Sequence, residues 1–233
     1  MSRFDTTRWS LVLKARADAP DARAALEALC RLYRPPVVAY VRGRGYPPDV
    51  ADDLAQAFFA QFIEKAWHAG ADPTRGRFRA YLLTALKRHL IDDTTAAHAQ
   101  KRGGGQLHES LDADGSAQPV GDDSPERAFE RAWALALLQS AIVRLQAEAE
   151  DAGKGALFVA LREFLVEAPD EADYARAAQA LGLRRNTLAV AVHRLRHRLR
   201  ELVQAELAQT TSNENEFDEE VRALRASLGT AIE

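Results

Sequence analysis

Apolar residues recur at helical spacing along most of the chain, and no stretch alternates with period two for long enough to make a strand. The pattern predicts an all-α protein. A first helix is expected to start at Thr6 or Thr7, with Trp9, Val12 and Leu13 inward. A second runs from about Ala22 to Tyr33. Pro35-Pro36 then breaks or restarts it, and Val37, Val38, Tyr40 and Val41 carry the apolar pattern on to Gly43 and Gly45. After the turn Tyr46-Pro47-Pro48-Asp49, a helix from Val50 to Trp67 gathers Leu54, Phe58, Phe62 and Ile63 on one face. Asp72-Pro73-Thr74-Arg75-Gly76 is a turn. The next helix has a core stripe of Phe78, Leu82, Leu86 and Leu90. Arg75, Arg77, Arg79, Lys87 and Arg88 lie around it, and Lys101-Arg102 close this basic region.

The pattern lapses at Gly103-Gly104-Gly105. Gly, Pro, Asp and Ser dominate as far as Ser124, with little to bury, so 103–124 reads as a flexible acidic linker between two helical domains, 1–102 and 125–209. Ser124-Pro125-Glu126 caps a helix that runs to about Glu150 on Phe129, Trp133, Leu137, Ala141 and Leu145. Gly153 and Gly155 separate it from Ala156 to Glu167, with Leu157, Phe158, Leu161, Phe164 and Leu165 inside. The remainder, 210–233, opens with the polar run TTSNENE. It ends in an amphipathic helix on Phe217, Val221, Leu224 and Leu228, which packs on the second domain, regulates it or mediates self-association. Its acidic approach, Glu214 to Glu220, is placed to shield a basic face.

The stretch Ala175 to Arg200 carries the most chemistry. It predicts a short helix, a tight turn at Gly182 and a longer helix with Leu188, Val192, Leu195, Leu199 and Leu202 on one side. At about 100° per residue, Asn186, Ala189, Val190, His193, Arg194, His197 and Arg200 fall on the other. Six arginines and no acid lie between Arg184 and Arg200. An apolar back and a basic front after a glycine turn is the pattern of a DNA-reading helix-turn-helix. Mixed signs are more usual on a merely solvated helix.

Composition adds limits. The 233 residues carry a net charge of −3, so the basic stretches are local features of a slightly acidic chain. The single cysteine, Cys30, allows no internal disulfide and sits in an apolar pattern, which fits a reducing cytoplasm. The first residues do not read as a secretory signal, and no apolar run is long enough to cross a membrane. Catalytic motifs fail on spacing. Gly153-Lys154 would need Gly at Glu148 and Ser or Thr at Gly155 to make a phosphate loop. Gly103 to Gly105 follow no strand, so they form no dinucleotide loop. His193 and His197 lack a third metal ligand. Asp52-Asp53 and Asp92-Asp93 are adjacent on helices and do not face one another. No cofactor, metal or catalytic residue is expected.

The segments TTRWSLVLKA, LYRPPVVAYVRGRG, DVADDLAQAFFAQF, RGRFRAYLLTALKRHL, AQKRGGG, SPERAFERAWALALL, GKGALFVALREFL, ALGLRRNTLAVAVHRLRHRLREL and AELAQT follow one another along the chain. In this order they resemble a bacterial RNA polymerase sigma factor of the extracytoplasmic-function (ECF) group. The likeness extends over essentially the full length and points to a subgroup whose genes often lie beside Ser/Thr protein kinases. It implies that the first domain is sigma region 2, which grips the polymerase clamp and opens the minus-10 element. It implies that the second is region 4, whose helix-turn-helix reads the minus-35 element. The clamp-binding signature, roughly Asp-Leu-x-Gln-Glu, falls on Asp53-Leu54-Ala55-Gln56-Ala57, where Ala57 stands in place of the acid. Thr95-Ala96-Ala97 replaces residues that are usually arginine in similar proteins. No Ser, Thr or Tyr occurs between Pro47 and Pro73, so a phosphate cannot supply the missing charge there; Tyr46, Thr74, Thr94 and Thr95 are the nearest hydroxyls.

The resulting expectation is a sigma factor without catalysis of its own, whose partners are core RNA polymerase and promoter DNA, with a Ser/Thr kinase or anti-sigma protein as a further partner. Asp52, Asp53 and Gln56 would meet the polymerase. Lys87, Arg88, His89, Lys101 and Arg102 would lie on the DNA backbone near the melted element, and Tyr81 would belong to the core or stack on a base. Arg184, Arg185 and Asn186 would meet base edges, Val190 a thymine methyl, and His193, Arg194, Arg196, His197 and Arg200 the rest of the DNA surface, with Arg194, Arg196 and Arg200 on phosphates. The alternatives are a helix-turn-helix regulator that recruits no polymerase, and a phospho-regulated interaction protein that does not bind polymerase unaided.

Overall fold

The computed structural model describes residues 20–64, 77–103, 124–167, 169–211 and 213–229. The expected helix around Trp9, the turn at 72–76 and linker residues 104–123 lie outside them. Every regular element among the described residues is helical: α1 (Pro20–Gly43), α2 (Pro48–Glu64), α3 (Phe78–Gly103), α4 (Pro125–Asp151), α5 (Gly155–Leu161), a 3-10 turn (Arg162–Leu165), α6 (Glu171–Leu181), α7 (Arg185–Ala208) and α8 (Glu214–Leu228).

The first core joins α1, α2 and α3 through Leu29, Tyr33, Val37, Val41, Ala51, Ala55, Phe58, Phe62 and the whole Phe78-Leu82-Leu86-Leu90 stripe. Aromatic edges hold it together, with Tyr33 on Phe78 at 5.0 Å and Phe58 on Phe59 at 5.2 Å between ring centroids. Two sequence expectations are corrected here. Pro35-Pro36 does not interrupt α1, which runs through both prolines. The ladder loses two donors, but Leu29, Leu32 and Tyr33 before the pair and Val37, Tyr40 and Val41 after it are all buried in one cluster. Packing on both sides therefore holds the axis that local propensity would break. On α2 the inward face is rotated from the expected one. Phe59 is buried, whereas Ile63 is 46% exposed.

The helix after the linker belongs to both halves of the chain. Ser124 caps α4 by accepting from the Arg127 N–H, and Pro125 takes the first turn, as the sequence predicts. Phe129, Trp133, Ala134 and Leu137 enter the first core. Ala141, Leu145 and Ala149 enter a second core with Phe158, Leu165, Leu199 and Leu202. Gly43, at the end of α1, lies so close to α4 that a β-carbon there would come 2.9 Å from Pro125 Cα. The last helix also joins the first core, through Phe217 and Leu224.

This junction encloses charge. Arg79 of α3 is 6% exposed and Glu220 of α8 is 2% exposed. Arg79 Nη2 lies 3.2 Å from Glu220 Oε2, and Arg79 also pairs with Glu130 of α4. Its guanidinium stacks 4.0 Å from the centroid of the Trp133 ring. Arg77 approaches the same Glu220 at 3.5 Å and Glu219 at 3.8 Å. The charges face one another at ion-pair distance, yet no well-aligned hydrogen bond satisfies the Glu220 oxygens. Burial pushes the Glu220 carboxyl above its ordinary value and Arg79 below its own, and each charge partly offsets the effect on the other.

A third, smaller core forms around α6 and α7 from Leu161, Ala178, Leu188 and Val192. Asp170 and Asp173 make a reciprocal cap at the start of α6, with bonds of 2.7 and 3.0 Å between each carboxylate and the other residue's N–H. Gly182 ends α6 in the left-handed region at φ 63, as the sequence expects of that turn. Behind α7, Arg198 grips both oxygens of Glu148 at 2.8 Å and so ties α7 to α4.

Nothing lies within 4 Å of a β-carbon built on Gly182. Gly182→Ala should therefore lose stability through backbone strain alone, by about 1–2 kcal/mol, read as a lower urea midpoint; Gly182→Asn should lose less. The Arg198 guanidinium holds the Glu148 carboxyl below its ordinary 4.5. This contribution is complete above pH 4.5 and is lost as pH falls through the lowered folded value. Glu148→Gln should remove that part of the acid-range slope in a plot of stability against pH.

Candidate nucleic-acid interface

Two surfaces carry the residues singled out from sequence. On α2, Asp53, Gln56 and Ala57 are exposed and share a face with Asp49. Val50 and Ile63, exposed at 38% and 46%, add apolar area to this side of the helix. Ile63 is the residue that the hydrophobic pattern assigned inward. Asp52 points away from this face and binds Arg34 of α1 at 2.8 Å, so the two adjacent aspartates do different work.

On α7 the apolar back is as the spacing expects, with Leu188, Val192, Leu199 and Leu202 buried and Leu195 half-buried. The helix begins at Arg185 after Arg184, so Arg184, Arg185 and Asn186 stand at its N-terminal end and all three are exposed. Val190 is 50% exposed, an apolar side chain facing water amid the basic residues. His193, Arg194, His197 and Arg200 are exposed with it. Arg184, Arg194 and Arg200 carry no ion pair among the described residues. Arg185 reaches back to Glu171 on α6 at 2.9 Å, and His197 lies 3.4 Å from Glu201. No cluster of three or more metal-ligating side chains forms among the described residues.

Arg196 departs from its expected place on phosphate. Its Nε donates to the Phe164 carbonyl at 2.8 Å and its Nη2 to the Glu167 carbonyl at 2.9 Å. It closes the end of the 3-10 turn against α7, where those carbonyls lack helical partners. Arg198, between the outward residues, is likewise spent on Glu148 and Glu201. The basic front is thus narrower than the arginine count suggests, concentrated at Arg184–Asn186, Val190, His193, Arg194, His197 and Arg200.

On α3, Arg88 is exposed, and Lys87 bonds Glu126 of α4 at 2.7 Å. That bond raises the Lys87 ammonium above its ordinary value and lowers the Glu126 carboxyl. His89, expected on the DNA backbone, is instead buried, its ring 5.6 Å from that of Phe58. The Lys101 and Arg102 backbone lies at the end of α3, and their side chains are outside the described set. Tyr81 is half-buried against Phe62, with ring centroids 6.4 Å apart, and so stands at the rim of the core. Of the α8 acids, Glu219 and Glu220 meet Arg77 and Arg79 of the α3 region. Neither this contact nor the Arg196 clip has a local sequence signal, because each joins residues far apart in the chain. No described helix is long and apolar enough to cross a membrane.

No curated protein and no solved structure matches the chain. Residues 29–100, from within α1 to near the end of α3, match the family model described as Sigma-70 region 2. The α2 face and Lys87 and Arg88 of α3 fall inside that span, and Lys101 and Arg102 lie just beyond it. Most of the first three helices is thus similar to a sigma-70 region 2, and this likeness supports a sigma factor role for the chain in transcription initiation.

Proposed function

We propose that the chain is an ECF-type sigma factor that binds core RNA polymerase through the Asp53-Gln56 face of α2 and directs promoter-specific initiation. In this reading residues 1–102 act as region 2 at the minus-10 element, and 125–209 act as region 4 at the minus-35 element. The observation that carries it is the basic N-terminal end of α7, set by the Gly182 turn, in the same chain as a region 2 match. A helix presented this way enters the major groove by its first turns. Arg184 and Arg185 suit guanine, Asn186 suits adenine, and Val190 offers apolar contact to a thymine methyl. Arg194 and Arg200 serve phosphates, with His193 and His197 beside them. Arg88 and the Lys101-Arg102 end of α3 follow the backbone near the melted element.

Ala57 favours a second reading, in which the chain does not bind core polymerase unaided and a partner completes the surface. Control by a Ser/Thr kinase or an anti-sigma protein belongs to that reading. Thr95 is exposed, but its hydroxyl donates to the Ile91 carbonyl at 2.8 Å.

Purified, unmodified protein should bind core polymerase, and Asp53→Ala should abolish binding while leaving the helical circular dichroism unchanged. Retained binding in the variant overturns the α2 assignment, and no binding by the wild type selects the second reading. Arg185→Ala should weaken promoter binding by about 1–3 kcal/mol in a base-dependent way. An equal loss across all sequences would make it a phosphate contact.

A further inference from the structure

Arg77, just before α3, and Arg79 and Lys87 on its first turns face acids from the other half of the chain. Lys87 is bonded by Glu126, while Arg79 lies at ion-pair distance from Glu130 and Glu220, and Arg77 from Glu219 and Glu220. Glu126 and Glu130 come from α4, Glu219 and Glu220 from α8. Three cations of the region that would approach the minus-10 DNA backbone are neutralised from within. Phosphate oxygens and carboxylates compete for the same donors. Glu214, Asp218 and Glu219 of α8 are exposed above the junction, so an approaching phosphate also meets like charge.

The element that supplies half of these acids is the one best suited to leave. α8 is a 15-residue helix, anchored by Phe217 and Leu224, by Val221, Ala223 and Leu228 packed on the same core, and by the two glutamates. Its departure would uncover the part of the first core that Phe217 and Leu224 cover. Arg79 would then keep Glu130 and Trp133 but gain access to solvent.

We propose that Glu126, Glu130, Glu219 and Glu220 stand in for nucleic-acid phosphate on Arg77, Arg79 and Lys87 in the free chain, and that promoter DNA displaces α8 to reach Arg77 and Arg79 and competes directly with Glu126 for Lys87. This rests on the sigma factor reading and adds to it a built-in restraint on DNA binding.

The test uses the full chain and a short duplex of arbitrary sequence. Binding is followed by fluorescence anisotropy over a range of salt, and α8 amides are followed by hydrogen exchange. Glu219→Gln combined with Glu220→Gln should raise affinity several-fold at low salt. The salt dependence should steepen by about one unit for each cation released. Glu126→Gln, which alters only an exposed pair and keeps the fold, should produce a smaller change of the same sign. Adding duplex to the wild type should accelerate exchange in α8. Wild-type affinity and salt slope in Glu126→Gln, together with α8 protection unchanged by saturating duplex, would overturn the proposal. Core polymerase binding separates the two readings. A chain that binds polymerase but shows unmoved DNA affinity and α8 exchange loses the stand-in alone. A chain that does not bind polymerase, yet releases α8 to duplex, keeps the stand-in and loses unaided polymerase binding.

Discussion

A guanidinium shut away from water must be answered on every side, and Arg79 is answered by side chains that the chain supplies last. Stripping water from an arginine costs several kcal/mol even after relaxation. Glu130, Glu220 and the Trp133 ring offset that cost from α4 and α8. The first core is therefore not finished when α1, α2 and α3 have formed. Its charge balance waits for a helix beyond the linker and for another near the C-terminus. Such long-range closure slows folding relative to a bundle built from neighbours alone.

The same constraint explains why the chain has two sets of helices but no clean division of its interior. Phe129, Trp133 and Leu137 seal the first core while Leu145 and Ala149, on the same helix, seal the second. The α2 face and the α7 front stay exposed under this arrangement, while Arg77, Arg79 and Lys87 do not stay unpaired. Closure touches the two surfaces unequally.

Much of this was legible in the sequence where the signal was local. The α3 stripe of Phe78, Leu82, Leu86 and Leu90, the Ser124-Pro125 start of α4 and the left-handed Gly182 all follow from spacing, capping or backbone freedom. The outward residues of α7 follow from its apolar back. Features set by distant partners were not legible. α1 passes through Pro35-Pro36 because both flanks are buried together. Phe59 rather than Ile63 faces inward because α1 and α3 decide which side of α2 is covered. Arg196 and Arg79 look alike in sequence, as arginines near a leucine stripe. One closes a turn by binding carbonyls and the other sits in the core. Only the fold tells them apart.

The span of α4 across both cores leaves it little tolerance for change in length. A single residue inserted between Leu137 and Ala141 would turn everything beyond it by about 100° and advance it by about 1.5 Å. Ala141, Leu145 and Ala149 would swing out of the second core together while Phe129 and Trp133 stayed in place. The register of one helix thus fixes the orientation of the α7 front relative to the α2 face.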